Sequence, residues 1–149
     1  MARIPRLRHT YYYRVPPERV FAALTDPKLL PTWFSERASV VLRKGGRFSL
    51  SWGEYTMDGR VRRVVAPNQL VVTWVDTLDG DRRFETEAQF DLAPKGKGTL
   101  LTVTHRGFKK GKRWVAQYGA IQSGWAHYLT NLRSVLEHGV DLRSPHTAL

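Results

Sequence analysis

Between Arg82 and Leu92 the chain alternates with a period of two. Phe84, Thr86, Ala88, Phe90 and Leu92 fall on one face, and Arg83, Glu85, Glu87, Gln89 and Asp91 on the other. This predicts a strand with one buried and one solvated side. Shorter β-rich runs over residues 38–42, 47–52, 55–65, 69–75 and 99–106 read the same way. Lys44-Gly45-Gly46, Ala66-Pro67-Asn68, Asp79-Gly80-Asp81 and Pro94-Lys95-Gly96-Lys97-Gly98 separate them as turns. Spacing this short favours antiparallel meander connections over helical crossovers. From Arg113 to His138 the period changes. Trp114, Tyr118, Ile121, Trp125, Tyr128 or Leu129, Leu132, and Val135 or Leu136 recur at steps of three and four, which predicts one long amphipathic helix closed by Gly139.

Upstream, residues 7–15 read as a Tyr- and Thr-rich strand that stops at Pro16-Pro17-Glu18. Pro17 suits a first helical position, and Val20, Phe21 and Leu24 give that short helix its apolar face. Asp26-Pro27 predicts the start of a second short helix through Leu29 and Leu30, broken by Pro31. The order is strand, two short helices, six strands and one long helix, an α+β arrangement. One helix covers a bent sheet only partly, and the gap left over is the usual origin of a ligand-sized cavity.

The 149 residues suit one domain over 1–149, with order expected over about 6–140 and frayed ends. With 42% hydrophobic residues the chain can build a core and still line a pocket. The absence of cysteine rules out disulfides, Cys-based zinc sites and thiol catalysis, and suits a cytoplasmic location. No apolar run approaches the length of a membrane span. The formal net charge of +11 invites an anionic partner, yet most of the bases are scattered among strand-like residues, so nucleic acid is disfavoured.

Catalytic templates fail. Gly107-Phe108-Lys109-Lys110-Gly111-Lys112-Arg113 is one residue short of a phosphate loop, and Gln122-Ser123-Gly124 lacks the first glycine of a nucleophile elbow. Five histidines show no zinc-ligand spacing and read as surface or helix-face residues. Glu54 and Asp76 lie near strand ends and could reach a pocket mouth. No catalytic residue, metal or cofactor is assigned. The aromatic residues are more informative: Trp33, Phe48, Trp52, Trp74, Phe84, Phe90, Trp114, Tyr118 and Trp125 are expected to line the cavity, against the plainer alternative that they fill the core. Arg106, Lys109, Lys110, Lys112 and Arg113 crowd the loop before the long helix, where the helix dipole disfavours cations. Two expectations stay open for this loop, a solvated face or a rim at the cavity mouth that holds an anion.

Several segments, in order, resemble a known family. They are Pro16-Pro17-Glu18-Arg19-Val20-Phe21 through Thr25-Asp26-Pro27 with Trp33; Lys44-Gly45-Gly46-Arg47-Phe48; Asp58-Gly59-Arg60-Val61 with Pro67-Asn68-Gln69-Leu70 through Trp74; Gly98-Thr99-Leu100 through Phe108; and Gly124-Trp125 with Tyr128-Leu129 and Leu132. Together they resemble the helix-grip (START-like, SRPBCC) superfamily shared by START lipid-transfer domains, polyketide cyclases and the major birch-pollen allergen. Within it they are most similar to homologues of the activator of heat-shock protein 90 ATPase.

The resemblance implies a curved antiparallel sheet wrapped around the long C-terminal helix. It implies less about function, because such folds host several activities. The expectation is a binding protein for a small amphipathic, aromatic or lipid-like ligand, anionic if the basic loop contributes. The alternatives are a cyclase- or aromatase-like enzyme and a co-chaperone-type interaction module. A buried carboxylate or histidine in the cavity would favour the enzyme, and a large exposed apolar patch would favour the interaction module. The chaperone-activating role goes with longer members that carry an added N-terminal domain, so it carries over poorly. A homodimer is compatible with the sequence but not legible in it.

Overall fold

The computed structural model describes residues 4–78 and 82–143. The expected turn at 79–81, the start at 1–3 and the tail at 144–149 lie outside the described residues. The elements are β1 (Leu7–Tyr13), α1 (Pro17–Thr25), a 3-10 turn (Leu30–Thr32), β2 (Arg37–Val40), β3 (Arg47–Trp52), β4 (Tyr55–Val65), β5 (Gln69–Leu78), β6 (Arg82–Lys95), β7 (Gly98–Arg106) and α2 (Lys112–His138). The strands form one seven-stranded sheet in the order β1-β7-β6-β5-β4-β3-β2, with antiparallel neighbours throughout. A meander thus runs from β2 to β7, and β1 closes onto its last strand.

The alternation in β6 is the alternation of the fold. Phe84, Thr86, Ala88, Phe90 and Leu92 are all buried on the face that meets α2. The same parity buries Leu70, Val72, Trp74 and Asp76 on β5, and Leu101, Val103 and His105 on β7. On α2 the buried side is Trp114, Gln117, Ile121, Trp125, Leu129, Asn131 and Leu132. Gly139 ends the helix in the left-handed conformation at φ 69°, its N–H bonded to the Val135 carbonyl.

Among the boundaries that differ from the sequence reading, two involve proline. Asp26 does cap, its side chain accepting from the Lys28 N–H at 2.8 Å, but the residues after it form a turn and the 3-10 segment that contains Pro31. A proline near the start of so short a helix gives up an N–H that has no partner there anyway. At the other end of the sheet, β6 continues through Pro94 to Lys95, leaving only Gly96 and Lys97 as the turn into β7. The Leu92 N–H points to the Asn68 carbonyl, on the β5 side, and Pro94 two residues on faces the same way. β5 pairs with β6 only as far as Asp91, so the missing N–H interrupts no ladder.

A larger correction concerns His105. It is not a surface residue but is fully buried on β7, on the sheet face that meets α2. The Trp125 indole N–H donates to its Nδ1 at 3.0 Å, so the ring proton sits on Nε2 and donates to Thr86 Oγ1 at 2.7 Å. The Thr86 hydroxyl in turn donates to the Trp74 carbonyl at 3.1 Å. Burial, reinforced by the Arg106 charge, lowers the His105 pKa to about 3 and keeps the ring neutral. Trp125 itself packs among Trp74, Phe34 and Phe90, with ring centroids 5.3, 5.5 and 5.6 Å away.

This arrangement separates two contributions. Trp125→Ala is expected to lose about 3–5 kcal/mol, the usual range for a buried aromatic truncated in a core. Trp125→Phe keeps most of the packing but strands His105 Nδ1, at about 1–3 kcal/mol for an unpaired buried acceptor. Urea denaturation of both variants checks this. A loss below about 1 kcal/mol for the alanine variant would show that Trp125 does not anchor the helix.

Candidate functional site

Where α2 crosses β3, β4 and β5 the layers do not close. A cavity of about 260 Å³ remains, lined by Phe34, Trp52, Tyr55, Trp74, Asp76, Ala120, Ile121, Gly124, Trp125 and Tyr128. The gap has a local cause. Ala120 and Gly124 are one turn apart on the helix and too small to reach the sheet, and a Cβ built at Gly124 meets nothing within 4 Å. The missing side chain of Gly124 leaves open space beside the helix.

Each wall is fixed from behind. The loop carrying Phe34 is tied down by Asn131 Nδ2 donating to the Trp33 carbonyl at 2.9 Å and by Trp33 Nε1 donating to the Ala23 carbonyl at 2.8 Å. The Phe34 carbonyl accepts from Trp52 Nε1 at 3.0 Å and from Arg143 Nη1 at 2.9 Å. The Phe34 ring then stacks on Trp33 at 4.7 Å and meets Trp52 and Tyr128 edge-on at 5.1 and 5.0 Å. Trp74 and Trp125 are held by the hydrogen-bonded chain through His105 and Thr86.

The one ionisable acid in this wall is Asp76, two residues beyond Trp74 on the same face of β5 and fully buried. One carboxylate oxygen accepts from the Tyr55 hydroxyl and the other from Gln117 Nε2 at 2.6 Å. Burial pushes the Asp76 pKa up to about 6, and the two hydrogen bonds hold it from rising further. Burial, with the adjacent Asp76 charge, raises the Tyr55 pKa, so its hydroxyl stays protonated and remains the donor.

The structure brings together three of the nine expected lining residues, Trp52, Trp74 and Trp125. Trp33, Phe48, Phe84, Phe90 and Trp114 are buried core residues outside the cavity wall. Tyr118 is half-buried, with its ring edge-on to Phe108 at 4.8 Å. None of the five basic rim residues lines the cavity. Arg106 donates to Glu87 and Gln89, both on the opposite sheet face. Arg113 and Lys109 stand over the rings of Phe84 and Trp114 at 4.7 and 6.0 Å, which offsets part of their unfavourable place at the helix start. Glu54 is exposed in the β3–β4 turn.

The site residues not singled out are Phe34, Tyr55, Gln117, Ala120, Gly124 and Tyr128. Gln117 carried a usable signal, since it precedes Ile121 and Trp125 at steps of four on the buried stripe.

The comparisons concern the family and the fold. Residues 14–137 match the family model described as Activator of Hsp90 ATPase homolog 1-like protein, and the chain belongs to that family. Comparison with curated proteins gives no match. Among solved structures, the chain is similar to protein MLL2253 from Mesorhizobium loti, at 25% identity and TM-score 0.81 over 91% of this chain and 99% of that one. It is also similar to PFC0360w, an HSP90 activator from Plasmodium falciparum, at 25% identity and TM-score 0.74 over 89% and 96% of the two chains. The Aha1 dimer from Colwellia psychrerythraea shares the fold at 20% identity and TM-score 0.76 over 91% and 98%. No helix among the described residues is long and apolar enough to cross a membrane.

Asp76 and His105 give opposite pH dependences. The raised Asp76 pKa means its contribution to stability is present below about pH 3.8 and lost as pH rises through about 6. The lowered His105 pKa means its contribution is present above about 6.5 and lost as pH falls towards 3. Asp76→Asn removes the first contribution alone. It keeps an acceptor for Gln117, and the Tyr55 hydroxyl can accept in place of donating. The variant should match wild type most closely near pH 4 and become more stable than it by up to roughly 3 kcal/mol at pH 7, from a shift of about two units. Chemical denaturation across that range measures the difference, and a constant difference would refute the assignment of the raised pKa to Asp76.

Proposed function

We propose that this member of the Activator of Hsp90 ATPase homolog 1-like family binds a small organic molecule in the cavity between α2 and strands β3 to β5. One observation carries the reading: six aromatic rings, those of Phe34, Trp52, Tyr55, Trp74, Trp125 and Tyr128, surround a single buried carboxyl at an open gap in the core. Apolar walls with few, well-placed polar groups are the usual composition of a small-molecule site.

Size narrows the class. Sites for drug-sized ligands span roughly 300–1,000 Å³, so 260 Å³ favours a compound of one or two rings over a lipid chain. A second reading, acid–base catalysis in the same cavity, has Asp76 behind it. A carboxyl that ionises near pH 6 can exchange protons close to neutrality. That reading requires a bound compound to be converted and Asp76→Asn to stop the conversion.

Gly124 offers a test that does not damage the core. Leucine there adds a side chain where a Cβ meets nothing within 4 Å, and it replaces a helical glycine at a gain of roughly 0.5–1 kcal/mol. Gly124→Leu should therefore keep or raise the melting temperature while filling the cavity. One- and two-ring compounds titrated against tryptophan fluorescence should bind wild type saturably and the variant at least about tenfold more weakly. Equal binding to both would move the ligand site elsewhere on the protein.

A further inference from the structure

The polar groups of the cavity are of one kind, and their arrangement points to the charge of the ligand. We propose that the cavity is built for an organic cation, a positively charged nitrogen carried on an apolar or aromatic body. This rests on the ligand-binding reading of the same cavity and specifies its substrate class.

Asp76 supplies the first argument. The chain has 24 Lys and Arg against 13 Asp and Glu, so a buried carboxylate has no shortage of available counter-charges. Yet Asp76 takes part in none of the ion pairs among the described residues, and its partners are the neutral Tyr55 and Gln117. Among the described residues, no lysine, arginine or histidine lines the cavity. A buried acid is ordinarily paired with a base or removed, because leaving its charge uncompensated is costly. Here the acid is fully buried in the cavity wall, and the wall residues around it bring no compensating charge.

The donors supply the second argument. An anionic ligand would need N–H or O–H groups aimed at it, and those nearest the acid are committed. Trp125 Nε1 donates to His105 and Trp52 Nε1 to the Phe34 carbonyl. The Tyr55 hydroxyl already donates its hydrogen bond to Asp76, so its oxygen can offer a ligand only lone pairs. Trp74 and Tyr128 bring neutral N–H and O–H groups, enough for a ligand's hydroxyl or carbonyl but without charge. The deep end of the cavity is thus acceptor-only and negative.

The rings supply the third. Six aromatic side chains around one acid form the arrangement that recognises alkylated ammonium groups, through the negative potential over each ring face. An ammonium with an apolar body would meet the ring faces and the Tyr55 oxygen, and its charge would offset that of the carboxylate buried behind them.

The pH dependence follows from the groups that face Asp76. Tyr55 from β4 and Gln117 from α2 bond it, while its register partners Met57 and Phe84 on the flanking strands carry no charge. Arg113 stands over the Phe84 ring but pairs with no acid, and His105, behind Trp74 and Trp125, stays neutral. Asp76 is therefore the titrating group of the cavity, and cation binding should strengthen as pH rises through about 6.

The test compares benzyltrimethylammonium, whose charge does not titrate, with its uncharged carbon isostere neopentylbenzene and with phenylacetate. At pH 7.5 wild type should bind the cation at least about tenfold more tightly than either, a margin within the range of a desolvated cation–π site. Asp76→Asn should cut that preference at least about threefold, leaving the part that the ring faces supply. The Asp76 carboxyl resonance, followed by carbon NMR, should titrate at lower pH when the cation is bound. Isostere binding that equals cation binding, or cation binding untouched by Asp76→Asn, overturns the inference while leaving a ligand cavity. So does a preference for phenylacetate. If none of the three probes binds, or Gly124→Leu binds them as wild type does, the cavity reading fails and this inference with it.

Discussion

The hydrogen bond from Trp125 to His105 sets the rotation of the long helix on the sheet. An indole N–H buried in this core must find an acceptor, and a neutral histidine on β7 is the one it finds. With that contact fixed, the helical period decides every other facing. Gln117, two turns earlier on the same stripe, reaches Asp76, and Leu129, one turn later, packs inward. Gly124 and Tyr128 turn towards the gap at β3 and β4. The cavity is a consequence of this registration: where the helix presents Ala120 and Gly124, the large side chains of the sheet find no partner to pack against.

The same polar contacts explain why the gap does not collapse. Phe34 and Trp52 could close it by moving inward. Phe34 is held by its own carbonyl, which accepts from both Trp52 and Arg143. Trp74 is anchored on the other side by Thr86 and through it by His105. Packed interiors resist rearrangement when each side chain already sits against fixed neighbours. The aromatic walls of this cavity are fixed through backbone carbonyls rather than by filling the space between them, which leaves room inside a well-ordered fold.

Most of the architecture was legible in the sequence, because two periods write it directly. Alternation over residues 82–92 and steps of three and four after Trp114 gave the sheet, the long helix and their facing sides. Asp76 was expected to be able to reach a pocket mouth; what escaped was full burial at positions where a polar residue sits on an apolar stripe. His105 follows Leu101 and Val103 at a period of two, Asp76 follows Val72 and Trp74 in the same way, and Gln117 precedes Ile121 by one turn. Propensity treats each as a solvent residue, whereas parity places each inside. The partners that make such burial tolerable lie 41 residues away along the chain for Gln117 and Asp76, and no local pattern encodes that pairing. The aromatic residues misled for a related reason: periodicity tells inward from outward, but not a ring packed in the core from one at a gap.

A net charge of +11 sits oddly with a cavity whose deep end is negative, and the resolution lies in distance. The basic side chains of the loop before α2 are exposed at the surface, where salt screens a charge beyond about 8 Å. Asp76 acts within a few ångströms and is itself fully buried, where the same Coulomb interaction is several times stronger. The surface field therefore slows the approach of a cation without deciding whether it stays. Inside, the balance is set by a carboxylate with only neutral partners and by rings whose faces carry partial negative charge. An anion drawn to the surface by the same field would find basic groups outside the cavity and none within it. Surface charge and cavity charge thus select different molecules, and the sign of the whole protein says little about what its interior accepts.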